Sequence, residues 1–374
     1  MKIGFDAKRA FTNNTGLGNY SRDTIHILSH YAPKNKYFLY TPKKNNNIRM
    51  SSISERENVI ICTPKNLFDK ALKTYWRSKR ILKDLGVNGI NIYHGLSNEL
   101  PLKIQNSSIK TVVTIHDLIF IRYPKLFKPF DRKIYQKKFR SACERADKII
   151  AVSKQTKKDI INYFNIPPEK IAVVYQGCNQ VFQNKISKEN KKLTAEKYSL
   201  PTKYLLYVGT IEKRKNLLTL LQVLVELPTH KLVVIGDGKS YKEKCLKFIA
   251  KNKMSNRVIF LKKLSLDEMA SIYQSADIMI YPSIFEGFGI PILEALFSKT
   301  PVITTRGGCF LEAGGKHSKY IDPLSISEIK NTIIEIQSSK KMKNNMIEKG
   351  LEHAQKFTDE KIAKKLMTIY NSLK

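Results

Sequence analysis

The chain has 374 residues, more than one ordinary hydrophobic core serves, and its 42% hydrophobic content is enough to build two. With 26% charged residues it is not a disordered chain. Sixty-six Lys and Arg against 32 Asp and Glu leave a formal net charge of +34, which favours anionic partners; Lys and Asn are abundant everywhere, as in Lys43-Lys44-Asn45-Asn46-Asn47, so part of that excess is compositional.

The five cysteines, Cys62, Cys143, Cys178, Cys245 and Cys309, are odd in number and scattered, without paired zinc or redox spacing, and fit a reducing cytosol. No secretory leader follows Met1, and the longest apolar runs fall far short of the roughly 20 residues that span a bilayer. The expectation is a cytoplasmic protein, soluble or peripheral on the inner face of the plasma membrane.

In chain order, apolar runs at Ile3 to Phe5, Tyr37 to Tyr40, Val59 to Cys62, Ile90 to Tyr93, Thr111 to Ile115, Ile149 to Val152 and Ile171 to Tyr175 read as strands with room for helices between them. Asp6 closes the first run and leads into a polar loop, Lys8 to Ser21, holding Gly16 and Gly18. Backbone N–H groups of such a loop can meet a phosphate, although Gly-Leu-Gly alone also fits an ordinary tight turn and lacks the third glycine of a dinucleotide fingerprint. His94 and His116, the latter beside Asp117, stand where strands meet their loops, as catalytic side chains do and as hydrogen-bonded structural histidines also do. Between them Leu67 to Leu85, with Tyr75-Trp76-Arg77-Ser78-Lys79-Arg80, suits either an anionic membrane surface or a domain helix with snorkelling lysines.

The pattern pauses near Gln176-Gly177, crosses a polar segment from Asn184 to Ser199, and restarts with strands at Tyr204 to Val208, Leu232 to Ile235, Val258 to Leu261, Ile278 to Tyr281 and Val302 to Thr304. Alternating strands and helices predict an α/β architecture of two doubly wound, Rossmann-like parallel sheets, residues 1–177 and 178–358, facing a central cleft at strand C-terminal ends. Gly209 ends one strand and is followed by Glu212-Lys213-Arg214-Lys215. Cations at a helix start oppose its dipole, so a diphosphate is a better reason for them than stability, the alternative being an exposed basic turn. Asp237, between Gly236 and Gly238, fits a nucleotide-facing loop or a plain turn.

The densest signal is Tyr281 to Ala295, which hangs Glu286, Glu294, Gly287 and Gly289 on one strand-to-helix turn. Pro291 can open the helix, the glycines let backbone approach a ligand, and the helix start supplies free N–H groups: a receptor for an anion and hydroxyls.

The run from Glu286 to Glu294, with Phe288 and Gly289 between, resembles the Glu-x7-Glu motif of retaining glycosyltransferases of the GT-B fold, family 4, which includes mannosyl- and rhamnosyltransferases of bacterial surface polysaccharide assembly. The resemblance implies that Glu286 touches donor sugar hydroxyls, Glu294 holds the nucleotide ribose, and Glu312 lies near it. It implies that Gly16 and Gly18 reach the donor phosphates and the acceptor, that His116 approaches the donor sugar with Asp117 orienting it, and that Asp6, His94 and Asp117 line the acceptor side. It also implies that residues 359–374 pack back on the first domain. Many relatives carry Arg directly after the glycine where this chain has Thr210, so Arg214 and Lys215 must carry more of the diphosphate.

The reaction so implied moves a hexosyl unit from a nucleotide-diphosphate sugar to a glycan or lipid-linked acceptor hydroxyl, for lipopolysaccharide, capsule or other surface polysaccharide, with retention, no cofactor and no metal; the lack of an Asp-x-Asp sequence agrees. The alternatives are a nucleotide-sugar epimerase of the same fold and a basic nucleic-acid-binding protein. The chain shows no recognisable nucleic-acid module, so nucleic acid is not an expected partner.

Overall fold

A strand covered on both faces has no polar side to show, which is why its sequence is a short continuous apolar run. A computed structural model describes residues 1–13, 15–44 and 48–374; Asn14 of the glycine loop and Asn45 to Asn47 of the Lys/Asn run lie outside the described residues. Among the described residues there are thirteen strands, all but the last built from these runs: β1 (Lys2–Asp6), β2 (Lys36–Tyr40), β3 (Val59–Cys62), β4 (Ile92–Gly95), β5 (Lys110–Ile115), β6 (Lys148–Ala151), β7 (Ile171–Val173), β8 (Leu205–Val208), β9 (Leu232–Ile235), β10 (Val258–Leu261), β11 (Ile278–Tyr281), β12 (Val302–Thr305) and β13 (Lys319–Ile321).

The chain divides into two units, Met1–Gly177 with Phe357–Lys374, and Cys178–Lys356. In the first, seven strands run in the order β3-β2-β1-β4-β5-β6-β7, and in the second six run in the order β10-β9-β8-β11-β12-β13. Every neighbouring pair is parallel. Strand order reverses between β1 and β4 and again between β8 and β11, the places where parallel sheets leave a crevice at their C-terminal ends.

Within the first unit, helix Asp359–Asn371 lies against helix Gly16–Tyr31 and buries Tyr370 completely. In the second, Leu205, Tyr207, Leu220, Val234 and Ile280 belong to one buried cluster between sheet and helices.

Three details differ from the sequence reading. Strand β4 starts two residues after Ile90, because Gly89 turns with φ +62° and the Ile90 N–H is taken by Leu85 O at 3.1 Å. The polar segment after Asn184 contains a helix, Lys188–Lys197, whose N-terminus is capped by the Ser187 hydroxyl. The edge strand β13 has no apolar run to betray it: Lys319 and Tyr320 are only half buried.

Candidate active site

In the second unit the loops after β8 and β11 are laced together. Gly209 leaves β8 with φ +146°, and a Cβ on the neighbouring Gly236 would stand 2.0 Å from Gly209 O, so two loop backbones touch where only glycine fits. Lys213–Lys215 then form a single 3-10 turn, and Asn216, in the left-handed region, redirects the chain into helix Leu217–Val225. The Ile284 N–H donates to Arg214 O at 2.8 Å, fixing the basic turn against the acidic loop.

This brings Arg214, Lys215 and Glu286 together. One carboxylate oxygen, Glu286 Oε1, lies 2.7 Å from Arg214 Nη1 and 2.6 Å from Lys215 Nζ, and accepts the Ser283 hydroxyl at 2.5 Å. Arg214 also donates to Glu212 Oε1 and to Phe285 O. Lys215 donates to the Tyr281 hydroxyl and sits 4.9 Å from the centre of that ring. Glu286 is only 9% exposed. Burial pushes its carboxyl up, but Lys215 and Arg214 outweigh burial and hold it down at about 2. Burial also pulls the Lys215 ammonium down, against the attraction of Glu286. The result is a buried, ionised acid between two cations at a sheet's reversal point.

Gly289 caps helix Ile290–Phe297 with φ +116°, and Pro291 stands in its first turn. Glu294, one turn on, is not part of the Glu286 cluster. It accepts the Tyr273 hydroxyl at 2.7 Å, and burial pushes its carboxyl up to about 7 despite that bond. The two acids of one motif thus have opposite environments, one ionised, one poised near neutrality. Phe288, between them in sequence, is buried. Asp237 projects into solvent, paired with Lys242 at 2.7 Å and folded back on the Gly238 N–H. Glu312 is half buried on helix Gly308–Gly314, its carbonyl facing His353 Nε2 at 3.0 Å.

In the first unit, the C-terminal end of β1 places Asp6 against Arg77, whose Nε and Nη2 reach Asp6 Oδ2 at 3.0 and 2.8 Å; Nη2 also meets Glu99 at 2.7 Å. His94 does not face a ligand space. It is fully buried inside β4, with Nδ1 on Tyr370 OH at 2.7 Å and Nε2 on Thr114 Oγ1 at 2.8 Å, and burial holds it neutral, near 3. His116 is buried as well, with Nε2 donating to Leu96 O at 2.9 Å and Nδ1 facing the Gln176 amide at 3.3 Å; burial lowers it to about 4. Those two groups orient the ring, whereas the Asp117 carboxylate accepts the Ile119 N–H. Gly18 is needed for close approach, since a Cβ there would lie 1.8 Å from Asn13 O; Gly16, the first residue of its helix, has nothing within 4 Å.

With this geometry the chain can be set beside known proteins. Residues 189–353 match the model for glycosyl transferases group 1, and residues 25–180 match the model for Glycosyltransferase Family 4. The chain belongs to the family 4 glycosyltransferases. It is 26% identical to the O-antigen chain mannosyltransferase B of Escherichia coli over 75% of this chain and 74% of that protein. It is 28% identical to the O-antigen chain mannosyltransferase RfbU of Salmonella typhimurium over 67% of this chain and 65% of that protein. The structure of Anabaena Alr3699/HepE in complex with UDP-glucose superposes with a TM-score of 0.78 at 16% identity, over 100% of each chain, and shares the fold.

Several contributors to this glycosyltransferase's site carried no signal of their own. Ser283, Tyr281 and Glu212 flank the motifs but are common residue types, and Arg77 was visible only as part of a basic aromatic stretch. In that stretch Trp76 is 1% exposed and donates Nε1 to Asp84, so it is a core residue and not a headgroup anchor. Leu67, Phe68, Leu72 and Tyr75 are exposed instead, as are Phe130, Ile134 and Tyr135 on helix Pro129–Arg145. Lys138 of that helix and Arg77 both reach the Glu99 carboxylate, so the two segments meet there.

Proposed function

We propose that the protein is a retaining, metal-independent hexosyltransferase that uses a nucleotide-diphosphate sugar, with mannose favoured by its O-antigen relatives, and delivers the sugar to a glycan or lipid-linked acceptor in surface polysaccharide assembly. The observation that carries this is the cluster of Arg214, Lys215 and Glu286 at the reversal point of the second sheet. When the glycosidic bond breaks, negative charge grows on the leaving diphosphate. Two fixed cations and the helix start at Ile290 stabilise that charge without a metal ion. The diphosphate's own oxygen then takes the acceptor proton on the same face, which gives retention without a protein nucleophile. Glu286 serves the sugar hydroxyls, and Glu294, ionising near neutrality, accepts the ribose diol.

The first unit supplies the acceptor side, with Asp6 held by Arg77. Its exposed Phe130, Ile134, Tyr135, Leu67 and Phe68, set among Lys70, Lys73, Lys133 and Lys137, suit peripheral contact with an anionic lipid surface, where aromatic rings enter the headgroup layer and cations meet lipid charge. No helix among the described residues is long and apolar enough to cross a membrane.

The test is a panel of nucleotide sugars scored for protection against thermal unfolding, followed by transfer of labelled sugar from the best one to a lipid-linked acceptor. At 100 times Kd a ligand that binds only the folded state adds about 2.7 kcal/mol, or roughly 5–10 °C for a unit of this size. A panel with no protecting member, or isomerised donor without acceptor, defeats the proposal.

A further inference from the structure

Glu286 stands where the donor's phosphate should go. The two groups best suited to a diphosphate, the Arg214 guanidinium and the Lys215 ammonium, both point at one oxygen of this carboxylate, 2.7 and 2.6 Å away, and the Ser283 hydroxyl adds a third hydrogen bond to the same atom. Among side chains, only a carboxylate offers an oxygen that mimics a phosphate oxygen to this donor set.

We infer that Glu286 is an internal stand-in for the donor diphosphate, and that arrival of the diphosphate on Arg214 and Lys215 is what releases the Glu286 carboxylate to the sugar. This rests on the reading of the cluster as the donor site. Sugar recognition thereby becomes conditional on phosphate binding: the acid that holds the hydroxyls is sequestered until the anion at the other end of the donor has displaced it.

The local structure allows the exchange at the side chain and not at the backbone. Glu286 O is held by the Cys309 thiol at 3.1 Å, and the Ile284 N–H two residues earlier is held by Arg214 O at 2.8 Å. The loop therefore keeps its place while the carboxylate rotates. Its main-chain neighbour is Gly287, with Gly289 two positions further on, so no Cβ on either crowds the turn. The exchange improves the charge match: one carboxylate charge leaves two cations, and a diphosphate with at least two charges replaces it, while Glu212 keeps its hold on Arg214. The Tyr281 hydroxyl, which accepts from Lys215 Nζ at 2.5 Å, keeps the ammonium in position while its anionic partner changes.

The consequence is an affinity pattern that a simple cation-orienting role does not give. Where a competing internal contact fills the site more than nine-tenths of the time, removing it raises the affinity for the external ligand at least about tenfold. The experiment is calorimetric titration of free GDP and UDP into the full chain as wild type, Glu286→Gln and Ser283→Ala, each checked for fold by circular dichroism. Ser283→Ala keeps the acid and loosens only its tether, so it remains informative if Glu286→Gln misfolds. The inference predicts tighter nucleoside diphosphate binding in both variants, by about tenfold or more in Glu286→Gln and a few-fold in Ser283→Ala. It predicts that free mannose and free glucose give no heat with the wild type alone and bind weakly once the diphosphate is present. Diphosphate affinity that is unchanged or lower in the folded Ser283→Ala variant overturns the stand-in while leaving the donor site intact. A wild type that binds neither diphosphate overturns the donor site itself.

Discussion

Replacing Glu294 with Gln tests the environment of the second acid of the motif. Burial pushes this carboxyl from the ordinary 4.5 up to about 7, against the Tyr273 hydrogen bond. At about 1.4 kcal/mol per pH unit, ionising it inside the fold costs roughly 3 kcal/mol. For an acid raised in the folded state, stability is full below the unfolded value near 4.5, falls as pH climbs, and levels off above about 7. Gln keeps an oxygen to accept the Tyr273 hydroxyl but never ionises. At pH 5 the variant should melt close to the wild type, and at pH 8 it should be more stable by up to about 3 kcal/mol, roughly 6–12 °C for a unit of this size. The difference between the two proteins is the right readout. His94 and His116, lowered to about 3 and about 4, act in the opposite sense, adding stability that is full above 6.5 and lost as pH falls towards those values. They are common to both proteins and cancel. Thermal melts at half-unit steps from pH 5 to 8 supply the curve, and a difference that does not grow with pH refutes the assignment.

The two glycines of the first loop should respond differently to alanine. Gly18→Ala forces a Cβ to 1.8 Å from Asn13 O and should cost more than about 2 kcal/mol in a denaturant titration, whereas Gly16→Ala, with open space around it, should stay within about 0.5 kcal/mol of wild type. Tyr370→Phe removes the partner of His94 Nδ1 in a fully buried place and should cost about 1–3 kcal/mol of stability, while donor affinity of the folded protein stays at the wild-type value. The double variant Phe130→Ser with Ile134→Ser should lower binding to anionic vesicles in a sedimentation assay, with no change in nucleotide-sugar affinity; unchanged sedimentation removes that helix from the membrane contact.

The architecture was largely legible because parallel strands buried on both faces must be apolar throughout, and twelve of the thirteen strands among the described residues announce themselves that way. The exception, β13, lies at a sheet edge, where one side is unpaired and Lys319 and Tyr320 suffice. The helix Lys188–Lys197 was hidden for the converse reason, since Lys-Glu-Asn-Lys-Lys buries little more than Thr194 and has no apolar stripe. At the site, the pairing of Glu286 with Arg214 and Lys215 was foreshadowed by cations placed where a helix dipole disfavours them. What local pattern could not show was how long-range partners use a side chain. His94 looks like a strand-end ligand until Tyr370, 276 residues away, closes over it. Trp76 looks like an interfacial anchor until Asp84 takes its N–H inside the core. Ser283 is unremarkable in sequence, and its role follows only from the turn that brings its hydroxyl back to the Glu286 carboxylate.

The most direct test of the donor site is calorimetric titration of the protecting nucleotide sugar into wild type and Lys215→Met, both verified as folded. Truncating a buried, hydrogen-bonded cation that meets an anionic ligand costs about 2–5 kcal/mol, so affinity should fall by roughly 30-fold or more. Equal affinity in the two proteins would contradict the placement of the diphosphate on Arg214 and Lys215.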